Sequence, residues 1–458
     1  MNKKDYLPTN ENIAFMFDKD MLNRNDDVIK FIQIIDSIEE NYVIGVDGEW
    51  GSGKTFFVKQ VKAILNQLNK HIADNSDENL NKILDKYKSG VKSKGLELPR
   101  HDHYVVYYDA WEHDDSDDPI ASILIQLVKE TGVAPEYKDN IISIVDKFIN
   151  LKTGKSFSDL LDIVKKNERI IEEENNIELH DLVSDFLESI IKEKADRLVI
   201  IIDELDRCKP SYAISALERI KHYFNNDMVT FILSTNIKEL SCTVSNYYGI
   251  GFDGLRYLDK FFDLRLSLRK PNDLSTYLSY CGINSTSGHS YETVCCRVIN
   301  EYNFELREIA RYAKLIRLSM NMYRNIRLRF ENQSMFFLYD LFVPVLIGLK
   351  MKDMSKYMEC INGKDVSPFV DILNEDIMYG YLTSLLNENE TYSKEPEKTL
   401  VSREQKIKEI YDFLFPFNQN SWRNGKTVGT LHFEGNESEY VLNMCNLLSG
   451  NLDLNELK

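Results

Sequence analysis

Short apolar runs, some interrupted by polar residues, recur through the first part of the chain, and each ends in a polar or glycine-rich turn. They lie at 42–47 (YVIGVD), 103–108 (HYVVYY), 198–202 (LVIII), 229–233 (VTFIL) and 262–268 (FDLRLSL). Their length and β-branched content predict strands. Between them the period changes. Phe57, Val58, Val61, Ile64, Leu65, Leu68 and Ile72 fall at helical spacing within 56–72, and helices are also expected over 119–130 and 210–224. Strands that are apolar throughout and alternate with helices imply a parallel sheet buried on both faces. A polar stretch at 73–99 reads as surface helix and loop. A longer charged insertion at 132–194 ends in a helix whose apolar face carries Leu182, Val183, Phe186, Leu187, Ile190 and Ile191.

After Pro271 the strand signals fade and the pattern is mostly helical to about Leu349. The remainder is mixed, with breaks at Pro368, Pro396 and Pro416. The chain of 458 residues is too long for one core, and these shifts divide it into three parts. They are an α/β core at 1–271, interrupted at about 73–99 and 132–194, a helical lid at 272–350 and a C-terminal accessory region at 351–458. The longest apolar run, 335–349, contains Asp340 and Pro344 and reads as a buried helix or helix pair, too short to span a bilayer.

The strongest chemical signal sits between the first strand and the first helix. Gly48-Glu49-Trp50-Gly51-Ser52-Gly53-Lys54-Thr55 fits G-x-x-x-x-G-K-[ST], a phosphate-binding loop. Gly48, Gly51 and Gly53 let the backbone turn so that successive N–H groups converge on phosphate oxygens, and Phe56 continues into the helix. Lys54 is expected to reach the β- and γ-phosphates and the Thr55 hydroxyl to ligate Mg²⁺. A second carboxylate at a neighbouring strand end should complete the metal's shell. Asp203 fits that role, with Glu204 as the group that polarises the attacking water; an acidic pair that merely caps the next helix is the plainer alternative. The strand 229–233 ends in Ser234-Thr235-Asn236. If it lies between the other two, Thr235 or Asn236 faces the γ-phosphate; an ordinary polar turn is the other reading.

These segments resemble the KAP family of P-loop NTPases. The resemblance rests on LVIIIDELDRCKP at 198–210, YYDAW at 107–111, YLDKF at 257–261 and Leu22-Asn23-Arg24, and it covers about 22–271. It implies an additional-strand core with five parallel strands, Mg²⁺-dependent ATP hydrolysis through Asp203 and Glu204, and loop-bracing roles for Asp206 and Arg207. Glu204 replaces the commoner Asp, and Asp109 stands where Asn is frequent. Related ring-forming ATPases imply a cation acting in trans near Arg256 and Lys260 in a homo-oligomer, for which local salt bridges are the alternative. Arg307 is placed to approach the phosphates from the lid. Bacterial relatives are associated with phage exclusion, which implies a motor or switch with effector partners; a nucleotide-binding scaffold without turnover and a nucleic-acid-stimulated ATPase are the rivals.

Charge bears on partners. Lys+Arg number 56 against Asp+Glu 73, a net charge of −17, which argues against wrapping nucleic acid by bulk charge. One stretch departs from that average. Residues 311–329 carry Arg311, Lys314, Arg317, Arg324, Arg327 and Arg329 with no acid, beside an apolar seam of Ile309, Ala313, Ile316, Met320, Tyr323 and Phe330. A core helix with a solvated flank is the default. Contact with nucleic acid, or with the acidic stretch 112–118 (EHDDSDD) of a neighbour, remains open. His101, His103 and His113 stand beside Asp102, Asp109 and Glu112 and read as a structural surface cluster. The seven cysteines show neither disulfide nor zinc spacing, and no secretory pattern opens the chain, so a cytoplasmic protein without a membrane role is expected.

Overall fold

The computed structural model describes residues 7–116, 118–131, 175–224, 226–271, 273–284, 290–327, 333–373, 382, 385–386, 396–416 and 425–445. Most of the expected charged insertion, 132–174, lies outside them. The chain divides into two compact units after Asp273.

In the first unit, β1 (Tyr42–Asp47), β2 (His103–Asp109), β3 (Arg197–Asp203), β4 (Val229–Thr235) and β5 (Leu264–Ser267) form one sheet in the order β2-β3-β4-β1-β5. Every pairing is parallel. This is the additional-strand arrangement, with β4 inserted between the strand before the phosphate loop and the acid-tipped strand. β3 and β4 are buried at every position. Successive side chains point to opposite faces of a strand, so each strand feeds two cores. Leu198, Ile200 and Ile202 face a layer that includes α5 (Pro119–Thr131), α6 (Asn175–Lys194), α7 (Pro210–Tyr223) and α8 (Ile237–Tyr248). Val199 and Ile201 face α1 (Asn10–Asp18), α2 (Asn25–Asp36), α3 (Lys54–Leu68) and α4 (Glu78–Ser93). Two-sided burial is why these strands read as continuous apolar runs. Gly45 interrupts β1 because a Cβ there would stand 2.8 Å from the Phe262 ring.

An edge strand exposes unpaired backbone groups, and β2 is such an edge. Its free side is satisfied by side-chain amides. Asn66 donates from Nδ2 to the Val105 carbonyl at 2.9 Å and accepts the Val105 N–H at Oδ1 at 2.7 Å, as a neighbouring strand would. Asn69 Nδ2 donates to the His103 carbonyl at 3.0 Å, and Gln126 Nε2 to that of Tyr107 at 3.3 Å.

The second unit is described by itself. It is mostly helical, with helices including Ser275–Cys281, Ser290–Glu301, Leu306–Arg327, Met354–Ile361 and Ser367–Leu373, and a small antiparallel hairpin, Lys426–Val428 with Leu431–Phe433. The apolar run is one helical stretch, Gln333–Lys352, rather than a helix pair. It is long and apolar enough to cross a membrane by length and composition, and 78% of its most apolar 18-residue window is buried within the protein. Its π turn at Leu338–Phe342 precedes Pro344, which has no N–H to give the Asp340 carbonyl one turn back. In the helix Leu306–Arg327, Ile309, Ala313 and Ile316 are buried and Arg311 and Lys314 exposed, while Arg317 donates to the Cys281 carbonyl at 2.6 Å. Side chains beyond Asn321 in the basic stretch lie outside the described residues. All seven cysteines are free thiols.

Asn66→Ala removes both bonds to Val105 and reopens the sheet edge. It is expected to cost about 1–3 kcal/mol and to increase self-association, read by chemical denaturation and light scattering. Unchanged stability and association would show that Asn66 is not the edge's guard.

Candidate functional site

Parallel register brings the carboxyl ends of four strands into one row. Asp109 pairs with Asp203, Asp203 with Ser234, and Asp47 with Thr235. The loop 48–53 rises from β1 into this row. Gly51 and Gly53 have φ of +85° and +95°, a region that side-chain-bearing residues rarely occupy, and Gly53 caps α3. A tight turn closes with the Ser52 N–H donating to the Glu49 carbonyl at 3.1 Å. Lys54 opens α3 and folds back, donating from Nζ to the carbonyl oxygens of Gly48 at 2.6 Å and Glu49 at 3.3 Å. Burial lowers the Lys54 pKa, while the nearby carboxylates of Asp206, Asp203, Glu204 and Asp47 oppose that shift. Thr55 and Phe56 follow in the first turn of α3.

Asp203 is almost wholly buried, and both its oxygens are held. Oδ1 accepts the Glu204 N–H at 3.0 Å and Oδ2 accepts the Tyr107 hydroxyl at 3.0 Å. The Tyr107 ring lies 4.1 Å beneath the Lys59 ammonium. Glu204 takes the left-handed conformation, φ +61°, as the chain leaves β3. Burial, reinforced by the Asp203 carboxylate, pushes its carboxyl up to about 7. The Glu204 carboxylate is paired with Arg207, whose guanidinium lies over the Trp111 ring.

Asp206 joins two elements. One oxygen accepts the Thr235 hydroxyl at 2.9 Å and the other accepts the Trp50 indole N–H, so the phosphate-type loop and the tip of β4 share one carboxylate. Asn236 caps α8 by accepting the Glu239 N–H at 3.3 Å, and its amide donates to Glu49 at 3.1 Å. The hydroxyl of Thr235 and the amide of Asn236 are thus both committed within the chain. Arg24 is a further part of the site. It is buried, and its guanidinium donates to the Ser52 carbonyl at 2.7 Å and the Arg269 carbonyl at 2.5 Å, riveting the loop to the chain before α2 and after β5. The lead-in Leu22-Asn23-Arg24 was its only sequence signal. A narrow crevice beside the loop is lined by Met16, Leu22, Arg24, Gly53, Phe56 and Phe57.

Other expected groups fall elsewhere. Arg256 is exposed on α9 (Gly254–Leu258), and the Lys260 ammonium lies over the Tyr257 ring; among the described residues neither bonds to 48–56. Arg307 is exposed in the second unit, at the start of the helix Leu306–Arg327. The acidic stretch is largely consumed inside the chain. Asp114 accepts the Lys209 N–H at 3.1 Å, Asp115 pairs with the Lys209 ammonium, and buried Asp118 pairs with Arg219 while capping α5. The three histidines do not form one surface cluster. His113 stacks on Tyr108 near the end of β2, whereas His101 and buried His103 meet Asp36 at its start.

An oxygen-only donor set, the Thr55 hydroxyl and the Asp203 carboxylate, suits a hard cation such as Mg²⁺. The Ser52 hydroxyl in the loop and the Ser234 hydroxyl at the tip of β4 are buried without hydrogen-bond partners among the described residues. With a lysine satisfied only by its own loop carbonyls, the cradle has polar groups that an anionic ligand can engage.

Comparison with known proteins agrees with this geometry. Residues 25–323 match the KAP family P-loop domain. Comparison with curated proteins gives no match. Among solved structures, the ORC2 protein of Aeropyrum pernix in its ADPNP-ADP complexes aligns over 93% of each chain at 10% identity. Its TM-score of 0.32 is too low to bear on fold or function. The family match spans more than half of the chain and includes the loop, the acid-tipped strand and the strand between them, so the chain belongs to the KAP family of P-loop NTPases.

Proposed function

We propose that this chain hydrolyses ATP with Mg²⁺ as cofactor. The observation that carries the reading is the convergence of Lys54, Asp203 and Glu204 at the ends of β1 and β3, on either side of β4, with the field of both acids acting on the lysine. In this scheme the loop N–H groups and Lys54 bind the phosphates, the Lys54 ammonium leaving the Gly48 and Glu49 carbonyls to do so. Thr55 and Asp203 hold the metal, which neutralises phosphate charge when bound. Tyr107 fixes the orientation of the Asp203 carboxylate from behind. Glu204 accepts the proton of the attacking water, with a raised pKa suited to a base working near neutrality.

One observation favours a second reading, in which nucleotide binding sets assembly with little turnover. Glu204 is tied to Arg207 and must release it to meet water. The wider setting we propose rests on the family resemblance alone: a motor or switch in bacterial antiphage defence, cytoplasmic, homo-oligomeric, with Arg256, Lys260 or Arg307 completing the site and effector proteins downstream. The parts we assign to the second unit are a lid over 272–350 and an accessory region over 351–458.

Lys54→Ala is expected to abolish nucleotide binding, measured by calorimetry with a non-hydrolysable ATP analogue, because the phosphates lose their principal cation. Glu204→Gln is expected to bind the analogue like the unaltered chain and to release phosphate roughly 10²–10⁴-fold more slowly. Full turnover by Glu204→Gln removes that residue from its role. An unaltered chain that binds ATP and releases no phosphate selects the scaffold reading.

A further inference from the structure

The nucleotide chemistry occupies the carboxyl end of the sheet and uses nothing at the opposite end of β2. There, three side chains with metal-ligand chemistry meet. Asp36 is the last residue of α2, His103 is the first of β2, and His101 stands two residues before it. One Asp36 oxygen lies 3.0 Å from His103 Nε2 and 3.3 Å from His101 Nδ1, and the three ligand atoms all lie within 4.8 Å of one another. We propose that Asp36, His101 and His103 form a binding site for a divalent transition metal, with Zn²⁺ the ion that best suits two imidazoles and one carboxylate.

The geometry requires little adjustment. Zinc bonds to nitrogen and oxygen near 2.0–2.1 Å place tetrahedral ligands roughly 3.3 Å apart, the spacing that two of the three pairs already have. The carboxylate is oriented before any ion arrives, because Asp36 also accepts the N–H groups of Arg100 at 2.9 Å and His101 at 3.1 Å.

His103 has 1% side-chain exposure, and its Nδ1 has no hydrogen-bond partner among the described residues. While the ion is absent, Nε2–H donates to Asp36; an ion at Nε2 would replace that hydrogen bond, with the ring proton moved to Nδ1. His101, at 37% side-chain exposure, opens the site to solvent, so an ion can enter and a water can complete the tetrahedron. Arg197 lies close enough to Asp36 to feel its charge, but its guanidinium donates to the Glu40 and Asp227 carbonyls instead. The site would pin the end of α2 to the edge strand. α2 begins one residue after Arg24, so an ion here would also stiffen the helix that follows the P-loop rivet.

The test uses the full chain, stripped with chelator and free of nucleotide. It is titrated with Zn²⁺ by calorimetry, and with Co²⁺ while the visible absorption of the bound ion is followed. One equivalent of Zn²⁺ and a tetrahedral Co²⁺ band are expected. His101→Ala, at a half-exposed position that should tolerate truncation, is expected to weaken Zn²⁺ binding at least tenfold and to abolish the rise in melting temperature that Zn²⁺ gives the unaltered chain. Absence of both stoichiometric Zn²⁺ binding and the Co²⁺ band in the unaltered chain overturns the proposal without any variant. Equal Zn²⁺ affinity in His101→Ala overturns it too, by placing the ion elsewhere. Neither result depends on ATP turnover, so this site and the hydrolytic reading stand or fall separately.

Discussion

The insertion of β4 between β1 and β3, in parallel register with both, is the constraint on which the rest of the molecule depends. Adjacent strands lie about 4.8 Å apart, so the tips of β1 and β3 are held about 10 Å from each other with the β4 tip between them. That row aligns Asp47, Thr235, Ser234 and Asp203. A slip of one residue in β3 would turn the Asp203 side chain to the opposite face and remove it from the loop. The register is protected by burial, because β3 and β4 are covered on both faces along their whole length.

The loops that leave these tips are linked through polar side chains rather than apolar packing. Asp206 holds Trp50 and Thr235 together, Asn236 holds Glu49, and Arg24 holds the Ser52 carbonyl. The bonds of Asp206 and Asn236 tie the loop 48–53 to the ends of β3 and β4, and Arg24 ties it to the chain before α2. Four carboxylates act on the single buried ammonium of Lys54. Lys59 and Arg207 stand against the same acids, so the charge at the strand tips is mixed rather than purely negative.

β2 serves both ends of the sheet. Near its carboxyl end Tyr107 supports Asp203, and at its amino end His103 meets Asp36. Between them Asn66 occupies the place of a missing strand. An edge usually blunted by charge or proline is here closed by amides from α3 and α5. α3 therefore has two tasks: its first turn carries Lys54 and Thr55, and its last part guards the edge.

Local pattern was enough for the five strands and for α3, α5 and α7: two-sided burial writes an apolar run in β3 and β4, the half-exposed edge β5 alternates apolar and polar residues, and one-sided burial writes a helical period. The phosphate-type loop was equally legible, since its function lies in the spacing of eight consecutive residues. Ends were less so: β3 and β4 extend to Asp203 and Thr235, beyond their apolar runs, because parallel pairing continues through polar tips. The helices α1, α2 and α8 and the small hairpin of the second unit are findings of the structure rather than of the pattern. The partnerships that finish the site belong to tertiary structure alone. Arg24 and Ser52 are 28 positions apart, Trp50 and Asp206 are 156, and Asp36 and His103 are 67. The sequence by itself determined which segments bury and which residues are candidates for the chemistry; only the folded sheet decided which of them meet, because a hydrogen bond depends on distance in space and no local period records it.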